Sequence, residues 1–149
     1  MNLKKELYLC CLESINQRLK VCASRIESIK NDLGSETKSS AGDKHETGRA
    51  MLQFEREKLG FQLATIEHEK KLLENFNPNA VHTQVRFGSI VKTTQHAYFI
   101  MISAGILKIN DESFISISPQ SPIGQMMMHK VVGDCISFRK NTFEITEVI

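Results

Sequence analysis

The sequence predicts an α+β protein, an N-terminal antiparallel coiled-coil hairpin followed by a small antiparallel sheet domain with one short helix. Three observations predict it. Apolar residues keep a seven-residue beat through the first third of the chain, a second such series follows a turn-rich stretch, and beyond Pro78 helical spacing gives way to short runs of Val, Ile, Phe and Thr. The division read from these is 1–77 for the hairpin, with its tip near 34–47, and 78–149 for the sheet domain.

The first seam runs through Tyr8, Leu12, Ile15, Leu19, Cys22, Ile26, Ile29 and Leu33, alternating steps of four and three. The second keeps the same beat at Leu52, Leu59, Leu63, Ile66 and Leu73, with Arg56 and Lys70 interrupting it. Two such seams close most simply on each other, so the hairpin is expected to be intramolecular and the protein a monomer. Helix 1 is expected to stop near Leu33-Gly34, because glycine suits a helix C-terminus. A helix of about 30 residues spans on the order of 45 Å, more than a small domain needs, which suggests an arm that reaches for something.

Past "NFNPNA", strands are expected near 86–93, 97–103, 114–117, 135–138 and 143–148. Between the third and fourth, Ser121 can cap a short helix, Pro122 fits its first position, and Ile123, Met126 and Met127 supply an apolar face.

Composition narrows the function. The net charge is +2, with 13 basic and 12 acidic residues up to Asn77 and 6 against 5 beyond it, so neither half carries the basic excess of a stand-alone nucleic-acid binder. No apolar run approaches the roughly 18 residues of a membrane span, and no charged-then-apolar leader is present, so a cytoplasmic protein without a membrane partner is expected. Cys10, Cys11, Cys22 and Cys135 lack metal-ligand spacing and read as reduced, packed thiols.

The order of these parts, together with "ISPQSPIGQMMMHKVVGDCISF" at 117–138, resembles the Gre family of bacterial transcription elongation factors. The signature residues are Ser121, Pro122, Ile123, Lys130, Gly133 and Asp134, and the family's Gly-Asp-x-x-Glu tip is matched by Gly42, Asp43 and Glu46. The resemblance implies an FKBP-like C-terminal domain that docks on RNA polymerase through Ser121, Pro122 and Ile123. It also implies a hairpin inserted into the polymerase secondary channel, where cleavage of backtracked RNA is stimulated. In that role the chain is no enzyme by itself. Asp43 and Glu46 would be the catalytic acids and would share Mg²⁺ only within the polymerase, with no cofactor in isolation. Lys38, Lys44 and Arg49 would lie near the nascent RNA. The chemistry suits the residues, since Mg²⁺ is a hard ion that takes carboxylate oxygens.

Other readings stay open. Asp43 and Glu46 also fit a capping box, as do Ser40 and Asp43. "TGRAML" at 47–52 departs from the family's Asn-Ala-Glu-Tyr-like run, which suggests a regulator that occupies the channel without stimulating cleavage. A peptidyl-prolyl isomerase would want an aromatic-lined pocket, yet the chain has no Trp and two Tyr. A plain coiled-coil interaction protein would self-associate and leave polymerase unaffected.

Overall fold

The structure, a computed structural model, describes residues 2–38 and 42–149; for 36–38 and 42–46 it describes the helical backbone alone. Two long helices, α1 (Leu3–Lys38) and α2 (Gly42–Leu73), precede strands β1 (Ile90–Thr93), β2 (Ala97–Ile100), β3 (Gly105–Ile109) and β4 (Glu112–Ile117). Then come the short helix α3 (Pro122–Met127) and strands β5 (Cys135–Phe138) and β6 (Asn141–Val148). The fold class is the expected α+β. Helix α1, however, does not stop at Gly34 but continues to Lys38. Gly34 is an exposed helical residue at which a Cβ would meet nothing, so neither packing nor a cap ends the helix there.

The chain forms two compact units, one of residues 15–71 and one of 1–14 with 72–149. In the first, α1 and α2 run antiparallel, since rising positions on α1 meet falling positions on α2. Arg18 pairs with Glu69 at 3.0 Å, the Cys22 thiol donates to the Leu59 carbonyl at 3.4 Å, and Arg25 pairs with Glu55. On α1 the heptad survives as Ile15, Cys22 and Ile29, all buried and seven apart. On α2, Ile66 is buried and Leu52, Leu59 and Leu63 are half-buried, whereas Arg56 and Lys70 are exposed. The two cations thus lie outside the apolar seam, keeping their charge in water as the desolvation penalty demands.

The second unit is a six-stranded sheet in the order β3-β4-β2-β1-β6-β5. Every neighbouring pair is antiparallel except β2 and β4, which run parallel with Ala97 opposite Phe114 and Ile100 opposite Ile117. β3 escapes the sequence reading because it is a mostly exposed edge strand that opens with glycine. Its hairpin to β4 turns at Asn110 and Asp111, both with positive φ, as a two-residue loop matched to strand twist requires. Alternation along the strands gives the sheet two buried faces. Val91, Tyr98, Ile100, Ile117, Ile136, Phe143 and Ile145 form a cluster with Met127 of α3, and Ile123 packs against its edge. Phe99 and Ser116, alternating with residues of that cluster, meet Phe76 and Cys11 instead.

Candidate functional site

The hairpin brings its two helices together near the turn. Arg49 of α2 donates from Nη1 to the Leu33 carbonyl of α1 at 3.3 Å, and its side chain is half-buried. This cation therefore has a bonding partner within the hairpin. Asp43, Lys44 and Glu46 fall in the first turns of α2 and Lys38 ends α1, but the side chains of all four lie outside the described residues, as do Ser40 and His45. The two acids are three positions apart in a helix whose backbone begins at Gly42. Free N–H groups and the positive end of the helix dipole favour carboxylates there. Two carboxylates are hard oxygen donors of the kind Mg²⁺ takes, but too few to hold that ion by themselves. Among the described residues, no group of three or more His, Cys, Asp or Glu could hold a metal ion.

The segment from Ser118 to Asp134 is built by capping and turn chemistry. The Ser121 hydroxyl accepts from the Gly124 N–H at 3.1 Å and donates to the Ser118 carbonyl at 2.7 Å. Pro122 takes the first helical turn, where its missing N–H costs nothing, and is exposed. Ile123 turns toward the core cluster and is half-buried. Gly124 is there for closeness, because a Cβ would sit 2.1 Å from the Ser118 carbonyl oxygen. Downstream, the Asp134 carboxylate accepts from the Val131 N–H at 2.9 Å and closes a turn in which Gly133 has φ 95°. Ser121, Ile123, Gly133 and Asp134 thus each have a structural task. Among what this segment offers to solvent are Pro122, Met126, Lys130, Val131 and Val132, beside the polar Gln120, Gln125 and His129; of these, sequence reasoning singled out Pro122 for docking. The apolar exposure of Val131 and Val132 left no sequence signal, since two adjacent valines read as strand.

A third cluster was also missed. Lys4 is 3 % exposed, and its Nζ donates to the Ala80 carbonyl at 2.8 Å. Burial pushes its pKa down to about 8. Nearby, His82 Nδ1 lies 2.6 Å from the Ser89 hydroxyl, which accepts from the Arg86 N–H. Burial, then the Lys4 and Arg86 charges, hold His82 below the ordinary imidazole value. With Asn2 donating to the Pro78 carbonyl at 2.7 Å, the group fastens the start of α1 to residues 78–80. Among the described residues every buried side-chain nitrogen and oxygen has a partner, so the cluster is satisfied and reads as a structural fastening.

Of the four cysteines, Cys11 and Cys22 are buried as expected, Cys10 is half-buried, and Cys135 is exposed; all four are reduced thiols. Cys135 departs from the packed-thiol expectation because it lies on the open side of β5, opposite Glu144. Among the described residues, no helix is long and apolar enough to cross a membrane.

Comparison with known proteins gives structural likenesses. The chain is similar to the crystal structure of GreA factor homolog 1 (Gfh1) of Thermus thermophilus, with 18% identity over 92% of this chain and 93% of that one and a TM-score of 0.37. It is also similar to a structure of the transcription factor Gfh1, with 17% identity over 91% of each chain and a TM-score of 0.37. No protein-family model matches the chain. No curated protein matches it either.

Proposed function

We propose that this chain is a transcription elongation factor that acts on RNA polymerase, entering its secondary channel with the hairpin and stimulating cleavage of backtracked RNA. The observation that carries this reading is the start of α2 at Gly42, at the turn end of an antiparallel hairpin, where the Gly-Asp-x-x-Glu sequence places two carboxylates. An apolar seam holds the two helices together and keeps that end a fixed distance from the hairpin's open end.

In this reading the chain performs no reaction alone. Asp43 and Glu46 contribute oxygen ligands and orient water at a site completed by polymerase and the RNA phosphate. Mg²⁺ bound there supplies the positive charge that activates water and stabilises the leaving oxygen. Lys38 and Lys44 offset the repulsion that two acids would meet beside phosphates. Arg49 holds α2 to α1 through the Leu33 carbonyl and orients the helix start. The sheet unit docks on the polymerase exterior through the exposed part of the Ser121–Pro122–Ile123 segment, and the factor works in the cytoplasm.

Transcript cleavage by stalled elongation complexes tests the reading. Wild-type protein should accelerate shortening of the RNA, and Asp43→Asn and Glu46→Gln should each remove most of that acceleration while leaving polymerase affinity intact. Occupancy of polymerase with no acceleration by the wild type would support the second reading, a channel-occupying regulator. That reading is favoured by the Thr47-Gly48-Arg49 sequence directly after the acids.

A further inference from the structure

Two hairpins of the sheet unit close with the same two-residue turn, filled in different ways. Between β3 and β4 the turn residues are Asn110 and Asp111, with φ 50° and 66°; between β5 and β6 they are Arg139 and Lys140, with φ 50° and 69°. Positive φ at both positions suits asparagine, aspartate and glycine, so the first turn carries residues that its geometry prefers. The second holds two long cations in a conformation those residues adopt at lower cost, and such strain marks positions where something other than folding sets the residue.

The surroundings of the two cations point outward. Both are exposed, and among the described residues neither side chain has a hydrogen-bond or ion-pair partner. The Arg139 guanidinium carbon lies 5.0 Å from the centroid of the Phe138 ring, a contact that steadies the group while leaving its N–H donors open. Ser137 stands opposite Thr142, both exposed, with their hydroxyls 3.1 Å apart, so one O–H remains to donate outward. Asn141 is exposed beside the turn. The stretch 135–143, "CISFRKNTF", contains no acid. Of the acids that flank it, Asp134 accepts from the Val131 N–H, and Glu144 lies opposite Cys135, two pairs behind Ser137 and Thr142.

We propose that the β5–β6 tip is a contact site for the phosphate backbone of double-stranded nucleic acid. Arg139 and Lys140 take phosphate oxygens, and the Ser137–Thr142 hydroxyl pair and Asn141 add neutral donors. Arginine, lysine, hydroxyl and amide groups are the side chains that hold phosphates without reading sequence. A duplex presents a charge about every 1.7 Å along its axis, so two neighbouring cations gain more from it than from the sparser carboxylates of an acidic protein surface. The near-balanced charge of the chain keeps the binding weak, since two cations release only about two counterions. Neither Asp43 nor Glu46 takes part, so the site stands or falls apart from the cleavage reading.

Fluorescence anisotropy of a labelled, mixed-sequence DNA duplex, titrated with the full-length chain over a salt series, tests this. Wild type should bind at low salt. Replacing both cations, Arg139→Gln with Lys140→Gln, should lower the log–log salt slope by about 1.8 and weaken binding about tenfold at the lowest salt. The melting temperature should not change, because both side chains are exposed. Arg139→Asn with Lys140→Gly gives the turn the residues its geometry prefers, so it should lose the same binding while melting higher than wild type. A wild type that binds no duplex overturns the proposal, as does binding that survives the glutamine variant or a melting temperature that falls in the asparagine-glycine variant. If labelled polyglutamate binds as tightly as the duplex, with the same dependence on Arg139 and Lys140, the occupant is an acidic protein and the proposal is wrong.

Discussion

The ring of Tyr8 stacks on that of Phe76, centroids 4.9 Å apart and planes inclined by 23°. Phe76 in turn meets Phe99 of β2 edge-on at 6.0 Å, so three aromatic side chains join the first turns of α1 to the sheet. Leu7 and Cys11 on the same turns are fully buried, and the Cys11 thiol lies 3.4 Å from the Ser116 hydroxyl, which donates to the Ile102 carbonyl. The N-terminal residues are therefore part of the sheet unit's core.

A fragment beginning at Pro78 should accordingly fail to form a native sheet. It loses Leu7, Tyr8, Cys11, Leu73 and Phe76 together and exposes the face carrying Phe99 and Phe114. Near-ultraviolet dichroism and urea unfolding of that fragment provide the measurement; a cooperative transition like that of the full chain would contradict the expectation. In the full chain, Leu7→Ala should lower stability by about 2–5 kcal/mol, the usual cost of emptying a buried leucine site.

Within the hairpin, packing should outweigh charge. Ile15→Ala should cost about 2–5 kcal/mol, whereas Glu69→Gln, which removes a partly exposed ion pair with Arg18, should cost under about 1 kcal/mol. Urea denaturation at low and at high salt separates the two, since only the ion pair is screened.

Lys4 should make stability depend on pH in the alkaline range. Its folded pKa of about 8 lies below the ordinary lysine value of 10.5, so between those values the unfolded chain binds more protons and stability rises with pH. Relative to Lys4→Met, the wild type should gain on the order of 2 kcal/mol between pH 7 and pH 10. His82 acts in the same direction at lower pH. With its folded pKa depressed, the unfolded chain takes up the proton first as pH falls through about 6.5, and stability is lost on acidification. His82→Gln should flatten that acid limb. Parallel unfolding curves across the pH series check both.

At α3, Ser121→Ala should cost about 0.5–2 kcal/mol through loss of the cap. Gly124→Ala should cost more, because its new Cβ cannot share space with the Ser118 carbonyl oxygen. Thermal unfolding of the two variants should rank them in that order.

Repetition and local chemistry made much of this structure legible. The heptads announce both helices because seam positions recur, and Ser121-Pro122 announces α3 because capping and proline geometry are local. The missed features depend on tertiary neighbours. Lys4 shares a row with Leu7 and Cys11, yet a lysine reads as exposed until the Ala80 carbonyl is seen to receive it. β3 contributes few buried side chains, so the pleat leaves little pattern in "GILKI". Gly34 reads as a stop, although the helical backbone runs through it to Lys38. For the candidate site, the motif at Gly42, Asp43 and Glu46 is legible as sequence.

Because residues 15–71 form one compact unit and the segments before and after them form the other, the hairpin is in topological terms an insertion into the sheet unit. An insertion made of two antiparallel helices works as a ruler graduated in heptads. Removing seven residues from each helix shortens it by about 10 Å while keeping the apolar rows nearly in phase. Removing four from each turns the two rows by about 40° and sets polar residues against the seam. Functional reach and folding are thereby separable in this chain: arm length can change in whole heptads, while the sheet unit keeps every residue of its own core.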